Sequence, residues 1–323
     1  MTDERDARVR QPRSISGGSL REAELSAAPD VAWRATKERA DSPFAQGLRR
    51  LRRSTTAVIG AAIVALLLLV ALFADVLAPQ SPVASDQAHT FERPSRDYPL
   101  GTDQLGRDML SRVIHGSRIS LAVGVSSVLL ALFVGVPFGM IAGYYGGRTD
   151  SIIMRVMDLI LAFPIYLLAI ILMVIFAPTA GIVGTMKVTG AIAIVRIPIY
   201  ARLVRGSVLS IKEKEYIEAC RAVGVRDPWI LLRHVLPNCL APIIVTTTLG
   251  IATSIIVEAT LSFLGLGTQP PTPSWGWDLK ANVAFIQSNP WISLFPGLAI
   301  FVTVLGFNLF GDGLRDALDP RLK

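Results

Sequence analysis

Charged side chains interrupt the apolar runs of this sequence at a few places only, and those places carry whatever chemistry the chain has. The densest lies between Tyr216 and Pro237. There Glu218, Arg221, Arg226, Asp227 and Arg233 alternate with Ala219, Cys220, Val223, Trp229, Leu232 and Leu236. A second group is Asp103, Arg107 and Asp108, and two lone ionisable residues, Arg196 and Glu258, fall in apolar surroundings. None of these groupings sets a nucleophile beside a base. Gly146-Gly147-Arg148-Thr149-Asp150 lacks the Lys-Ser/Thr of a phosphate loop, and no Walker A sequence occurs elsewhere. The chemistry to expect is ion pairing and docking, with no catalytic, metal-binding or cofactor-binding residue assigned to the chain.

The elements that position these residues follow from spacing. Tyr216, Ala219, Cys220 and Val223 share one helical face. Gly224 suits the left-handed position that ends a helix. Asp227 is placed to cap a second helix with Pro228 at its first position. Trp229, Leu232 and Leu236 give that helix an apolar face, and Pro237 marks its end. In the other group, Asp103 or Thr102 is placed to cap a helix through Met109 to His115.

Around these islands the chain is a membrane protein. It has 323 residues, is 51% hydrophobic and carries a net charge of +7. Its mean hydropathy is +0.49, above that of an ordinary soluble domain. Apolar runs predict six spans, at Ala57–Ala74, Ile119–Tyr144, Leu159–Ala177, Val188–Val204, Leu240–Val257 and Trp291–Phe310. The first covers about 27 Å as a helix, close to a hydrocarbon core. Gly135 and Gly139 have the spacing that lets two membrane helices approach closely. Thr246, Thr247, Thr248, Thr253 and Ser254 make the fifth span hydroxylic, for packing or for a polar path. Basic residues lie mostly outside the spans, so the positive charge speaks of topology and not of nucleic acid. Cys220 and Cys239 fall on or beside the inner loop, where thiols stay reduced, and no disulfide is expected.

Residues 1–53 are polar and basic and read as a largely disordered cytoplasmic tail. Arg49, Arg50, Arg52 and Arg53 would hold its end inside, and no cleavage is expected. Residues 54–118 hold the first span and an outer loop, and residues 119–323 the remaining spans, with a cytoplasmic loop at about 203–238. Alternatives stay open for single residues. Arg196 either snorkels to the inner interface or faces a pathway. Glu258, near an outer helix end, meets a solute's charged terminus, a partner or a salt-bridge cation. Asp158 either orders an inner gate or is a carboxylate at a helix end. Trp275 and Trp277 touch an outside protein or sit in an interfacial aromatic belt.

Glu218-Ala219, Gly224 and Leu236-Pro237 resemble the "EAA" coupling loop of binding-protein-dependent ABC importer permeases. Cys220 and His234 depart from that pattern. Gly101-Thr102-Asp103 with Gly106-Arg107-Asp108 resembles a signature of the dipeptide/oligopeptide/nickel branch, in its "C" type of subunit. The stretches Glu258–Gly267, Pro273–Trp277 and Gly311–Arg321 are similar to that branch too. The resemblance implies an all-α polytopic protein with six transmembrane helices and the type I ABC importer permease fold. It implies residence in a bacterial or archaeal cytoplasmic membrane with both termini inside. It further implies a second, homologous permease, two cytoplasmic ATPase subunits that bind ATP and Mg, and an extracytoplasmic binding protein. Glu218, Ala219, Arg221, Gly224, Arg226, Leu236 and Pro237 would then meet the ATPase. Asp103, Arg107, Asp108, Trp275 and Trp277 would shape the outer mouth or meet the binding protein. The competing reading is a secondary transporter or channel working without an ATPase, whose paired intramembrane carboxylates or inverted repeat are not evident.

Overall fold

A computed structural model describes residue 51 and residues 54–318. The tail expected at 1–53, apart from residue 51, and the motif residues 319–321 lie outside the described residues. Helices account for nearly all regular structure, and the described residues contain no named strand.

Helix α1 (Thr55–Leu72) starts where the Ser54 hydroxyl accepts from the Ala57 N–H. Leu66, Leu68, Leu69 and Leu72 stay exposed along it, as a helix bathed in lipid requires. A short α2 (Ala74–Leu77) leads into the outer loop. Helix α3 runs unbroken from Met109 to Tyr145. It therefore begins well before Ile119, and the segment expected as an outer loop up to 118 supplies its first turns.

The expected third span, Leu159–Ala177, is not a single helix. Helix α4 (Gly147–Leu161) and helix α5 (Ile165–Phe176) meet at 88°. Pro164 lacks the N–H that would continue α4 and pushes Phe163 out of helical geometry. At 12 residues, α5 reaches only about 18 Å, short of a hydrocarbon core. Among the described residues, five helices are long and apolar enough to cross a membrane, and six spans result when the bent pair counts as one.

Helix α6 (Gly181–Ile211) is longer at both ends than the expected Val188–Val204. After it come α7 (Glu215–Ala222) and α8 (Asp227–Ile230), then a π-helical turn at Leu231–Val235. Helix α9 (Leu236–Phe263), the outer α10 (Trp275–Asn282) and α11 (Trp291–Leu318) complete the order.

The central packing joins α3 to α6 through the glycine row seen in the sequence. A Cβ at Gly135 would stand 2.7 Å from the Ile197 carbonyl oxygen, and one at Gly139 would stand 2.4 Å from that of Ala201. Two backbones at this separation leave room for hydrogen only. Helix α1 closes against α11 in the same way, where Gly60 faces Leu309 and Phe310. Toward the C-terminal end of α6, Arg205 holds Asp150 of α4 at 2.5 Å, and Arg202 holds Asp158 at 2.5 Å. Asp158 is thus half of an ion pair between α4 and α6. The threonines of α9 mostly bond within their own helix: the Thr247 hydroxyl donates to the Ile243 carbonyl at 2.7 Å and Thr260 to Ile256 at 2.8 Å.

Candidate functional site

The hairpin, α7 to the start of α9, is anchored by an apolar cluster in which Ile217, Ile230, Leu231 and Val235 pack with Val204 and Val208 of α6 and Cys239 of α9. Gly224 stands at φ +83°. The Gly224 N–H donates to Arg221 O at 2.9 Å, and the Val225 N–H donates to Cys220 O at 3.0 Å. This pair of bonds closes a Schellman motif, so the sequence expectation for Gly224 is met.

Three expectations for the hairpin are corrected. First, the apolar face is divided. Ile217 and Cys220 turn inward, while Tyr216, Ala219 and Val223 are exposed, with Val223 at 84%. In the same way Ile230, Leu231 and Val235 are buried, whereas Trp229 and Leu232 lie 58% and 59% exposed and Leu236 is half-buried. Helical spacing groups residues on a stripe but does not say which stripe meets the rest of the protein. Second, Asp227 makes no capping bond; Arg226 holds the cap position. The Asp227 carboxylate instead accepts from the Tyr144 hydroxyl at 2.7 Å. Third, Pro237 ends nothing. Its missing N–H is absorbed by the π-turn, where the Leu236 N–H reaches back to Leu231 O, and the helix runs on.

Arg221 lies over the Tyr144 ring, 4.8 Å from its centroid, and its Nε donates to the Tyr144 hydroxyl at 3.3 Å. Arg233 lies over Trp229 at 5.8 Å. Glu218, Arg226 and Pro237 are exposed. Sequence reasoning missed Tyr144, which ties the end of α3 to both arms of the hairpin; it closes an apolar run and carries no signal of its own.

On the outer side the structure buries what the sequence offered as a contact surface. Asp103 is fully buried; its carboxylate accepts from the Leu105 and Arg107 N–H groups at 2.8 and 3.0 Å and from Arg107 Nε at 2.6 Å. Asp108, not Asp103 or Thr102, caps α3, accepting from the Ser111 N–H at 2.8 Å. Thr102 instead accepts from the Glu92 N–H at 2.8 Å and donates to His89 O. Arg112, 1% exposed, donates through Nε to Asp278 Oδ1 at 2.8 Å and through Nη1 to Pro82 O at 2.9 Å. Trp275, also 1% exposed, packs on Gly116 and donates its indole N–H to Val113 O at 2.9 Å. Only Trp277 of the five outer candidates is partly open, with Lys280 Nζ 4.7 Å from its ring centroid. Asp278 was not singled out by sequence, since nothing local distinguishes it from a surface carboxylate.

Glu258 is fully buried and has no cation among the described residues. Its carboxyl oxygens accept from Ser120 of α3 at 3.0 Å and Ser262 at 2.8 Å. Of the alternatives for Glu258, the salt bridge is absent among the described residues. Arg196 is half-buried and donates to the Thr253 hydroxyl on α9. At the outer rim, the hydrogen bonds from Arg118, at 2.9 Å, hold the Asp75 carboxyl below its ordinary range. The hydrogen bond that His89 Nδ1 donates to Asp86, at 2.8 Å, raises the His89 imidazole above its usual value. No group of three or more His, Cys, Asp or Glu among the described residues could hold a metal ion.

A family profile described as "binding-protein-dependent transport system inner membrane component" matches residues 135–323. A second, "N-terminal TM domain of oligopeptide transport permease C", matches residues 42–94. The chain is 45% identical to the dipeptide transport system permease protein DppC of Alkalihalophilus pseudofirmus, over 87% of this chain and 91% of that one. It is 46% identical to the glutathione transport system permease protein GsiD of Pectobacterium atrosepticum, over 87% and 92%. For GsiD of Escherichia coli O157:H7 the figures are 45%, 94% and 97%. Among solved structures, an inward-facing MetNI methionine ABC transporter chain aligns with TM-score 0.53 and 19% identity, over 65% of this chain and 98% of that one. That likeness shows the fold, the type I ABC importer permease. Subunits of this kind are not enzymes, and ATP hydrolysis belongs to separate chains. With profiles at both ends and relatives across most of its length, the chain belongs to the multi-pass inner-membrane permeases of binding-protein-dependent ABC importers, in the dipeptide/oligopeptide family.

Proposed function

We propose that this permease moves di- and oligopeptides inward, with the hairpin at Glu215–Leu236 as the element that an ATPase grips. One observation carries the coupling role. Tyr216, Val223, Trp229 and Leu232 are left exposed on a hairpin whose Ile217, Ile230, Leu231 and Val235 are buried. Aromatic and aliphatic side chains rimmed by Glu218, Arg226 and Arg233 have the composition of a protein-binding anchor. Ala219 is small enough for close approach, and Leu236 and Pro237 seat the hairpin on α9.

The assembly in this reading has this chain, a second homologous permease, two cytoplasmic ATPase subunits and an extracytoplasmic binding protein. ATP and Mg sit in the ATPase chains, and this chain holds no cofactor. Both termini and the hairpin face the cytoplasm. A loaded binding protein docks outside, and ATP-driven closure of the ATPases pulls on the hairpins. The helix pair then turns from inward-facing to outward-facing and takes up the solute. Peptide is favoured as cargo because the relatives are named for a dipeptide and for glutathione, itself a short peptide.

The deciding experiment is purification of the chain in mild detergent with its native neighbours, followed by mass spectrometry and uptake in liposomes. Recovery of a second permease with ATPases, and ATP-dependent uptake of labelled dipeptide, are the expected results. Uptake by the lone chain without ATP would overturn the reading in favour of a secondary transporter.

A further inference from the structure

Arg196 stands midway along α6, far from either end of that span. A charge at such a depth is costly unless it faces protein or water. No Asp or Glu among the described residues pairs with it. Its hydrogen-bond partner is the neutral Thr253 hydroxyl. That hydroxyl already donates to Leu249 O at 3.0 Å and Gly250 O at 3.1 Å, so toward Arg196 it can only accept. It orients the guanidinium without neutralising it.

Open space lies along the same helix faces. A groove of about 470 Å³ lies between α6, α9 and α11, lined by Leu203, Thr246, Leu249 and, near the end of α11, Arg315. Leu203 is about two turns from Arg196 on α6, and Thr246 is about two turns from Thr253 on α9. The same two helix faces therefore form the groove wall and, roughly 10 Å further along, the Arg196–Thr253 pair. Beside that pair lies the hydroxyl of the buried Tyr200. A Cβ at Gly250 would lie 2.6 Å from this hydroxyl and 3.7 Å from Arg196 Nη1, so both groups converge on one point of α9.

A guanidinium has five N–H donors in a planar fork that matches a carboxylate. We propose that Arg196 is the station that holds the solute's carboxylate midway across the membrane, which makes a free carboxylate a selection criterion of the permease itself. This rests on the peptide-import reading above.

The test uses the whole assembly in liposomes, with its binding protein loaded equally with a dipeptide or with that dipeptide's C-terminal amide. Uptake of each is compared between wild type, Arg196→Gln and Arg196→Lys. The binding protein is common to all three, so its own preference cancels. In Arg196→Gln, uptake of the acid should fall about tenfold and that of the amide less than about twofold. Arg196→Lys keeps the charge but not the fork and should lie between, again for the acid alone. Equal losses for acid and amide, or none, would overturn the proposal. Should Arg196→Gln fail to assemble, the acid-to-amide ratio of Arg196→Lys decides in the same way. A wild-type assembly that imports neither peptide removes the peptide reading and this proposal together. Wild-type import with an unaltered ratio in the variants removes only the role of Arg196.

Discussion

Arg112 and Asp278, 166 positions apart in sequence, meet at 2.8 Å in a region closed to solvent, and so fasten the outer end of α3 to α10. Two buried charges in this geometry tolerate each other far better than either tolerates solitude. Arg112→Ala should cost about 3–5 kcal/mol, the usual penalty for stranding one buried charge, and Asp278→Ala less, because Asp103 stays 4.0 Å from Arg112. Replacing both together, as Arg112→Met with Asp278→Leu, should recover much of the loss. Thermal unfolding followed by tryptophan fluorescence in detergent measures all three. A single variant as stable as wild type would count against the pair as a fastening.

Gly139 offers a sharper test of the α3–α6 contact. With the Ala201 carbonyl oxygen 2.4 Å from a Cβ placed there, even alanine forces the backbones apart. Gly139→Leu should cost more than the roughly 1–3 kcal/mol of ordinary overpacking, because the obstacle is main chain and cannot rotate away. The yield of monodisperse protein in detergent is the readout, with a collapse expected for Leu and a partial loss for Ala.

Gly224 separates folding from coupling. A Cβ there would meet nothing within 4 Å, so the only obstacle is the positive φ of +83°. Gly224→Val should strain the bend by about 1–2 kcal/mol, reshaping the hairpin while the spans insert normally. ATP-driven uptake should drop although membrane levels hold. Normal uptake by this variant would sink the coupling role assigned to the bend.

His89 gives the outer loop a pH response. Its imidazole is raised above 6.5 by Asp86, so the folded loop binds the proton more tightly than the unfolded chain does. The stabilisation is complete below the unfolded value and is lost as pH rises through the raised one. Amide exchange over residues 87–92, corrected for intrinsic rates, should accelerate across that window. In His89→Ala the acceleration should disappear.

Much of this was legible in the sequence. Long apolar runs placed the crossing helices, the Gly135/Gly139 spacing foretold a close helix pair, and Gly224 marked its bend. The failures share a cause. Hydropathy reads Leu159–Ala177 as one run because Pro164 scarcely lowers the average, although its geometry turns the chain. Spacing drew a stripe on α7 but could not tell that Ile217 faces inward and Val223 outward, since that depends on where α6 lies. Asp103, Asp108 and Trp275 looked available because polar and aromatic residues in a loop usually are. Their partners Arg107, Ser111 and Val113 are close in sequence for the first two and distant for the third, and burial appears only once α10 is laid against α3.

Helix α3 is fastened near both extremities, by Arg112 to Asp278 and by Tyr144 to Asp227. Its 37 residues make a rod about 55 Å long, with Pro137 its one internal weak point. A rod pinned at two ends transmits displacement without any relay of side chains between them. Any coupling along it is reciprocal: what a change at one pin does to the other is returned by the same factor.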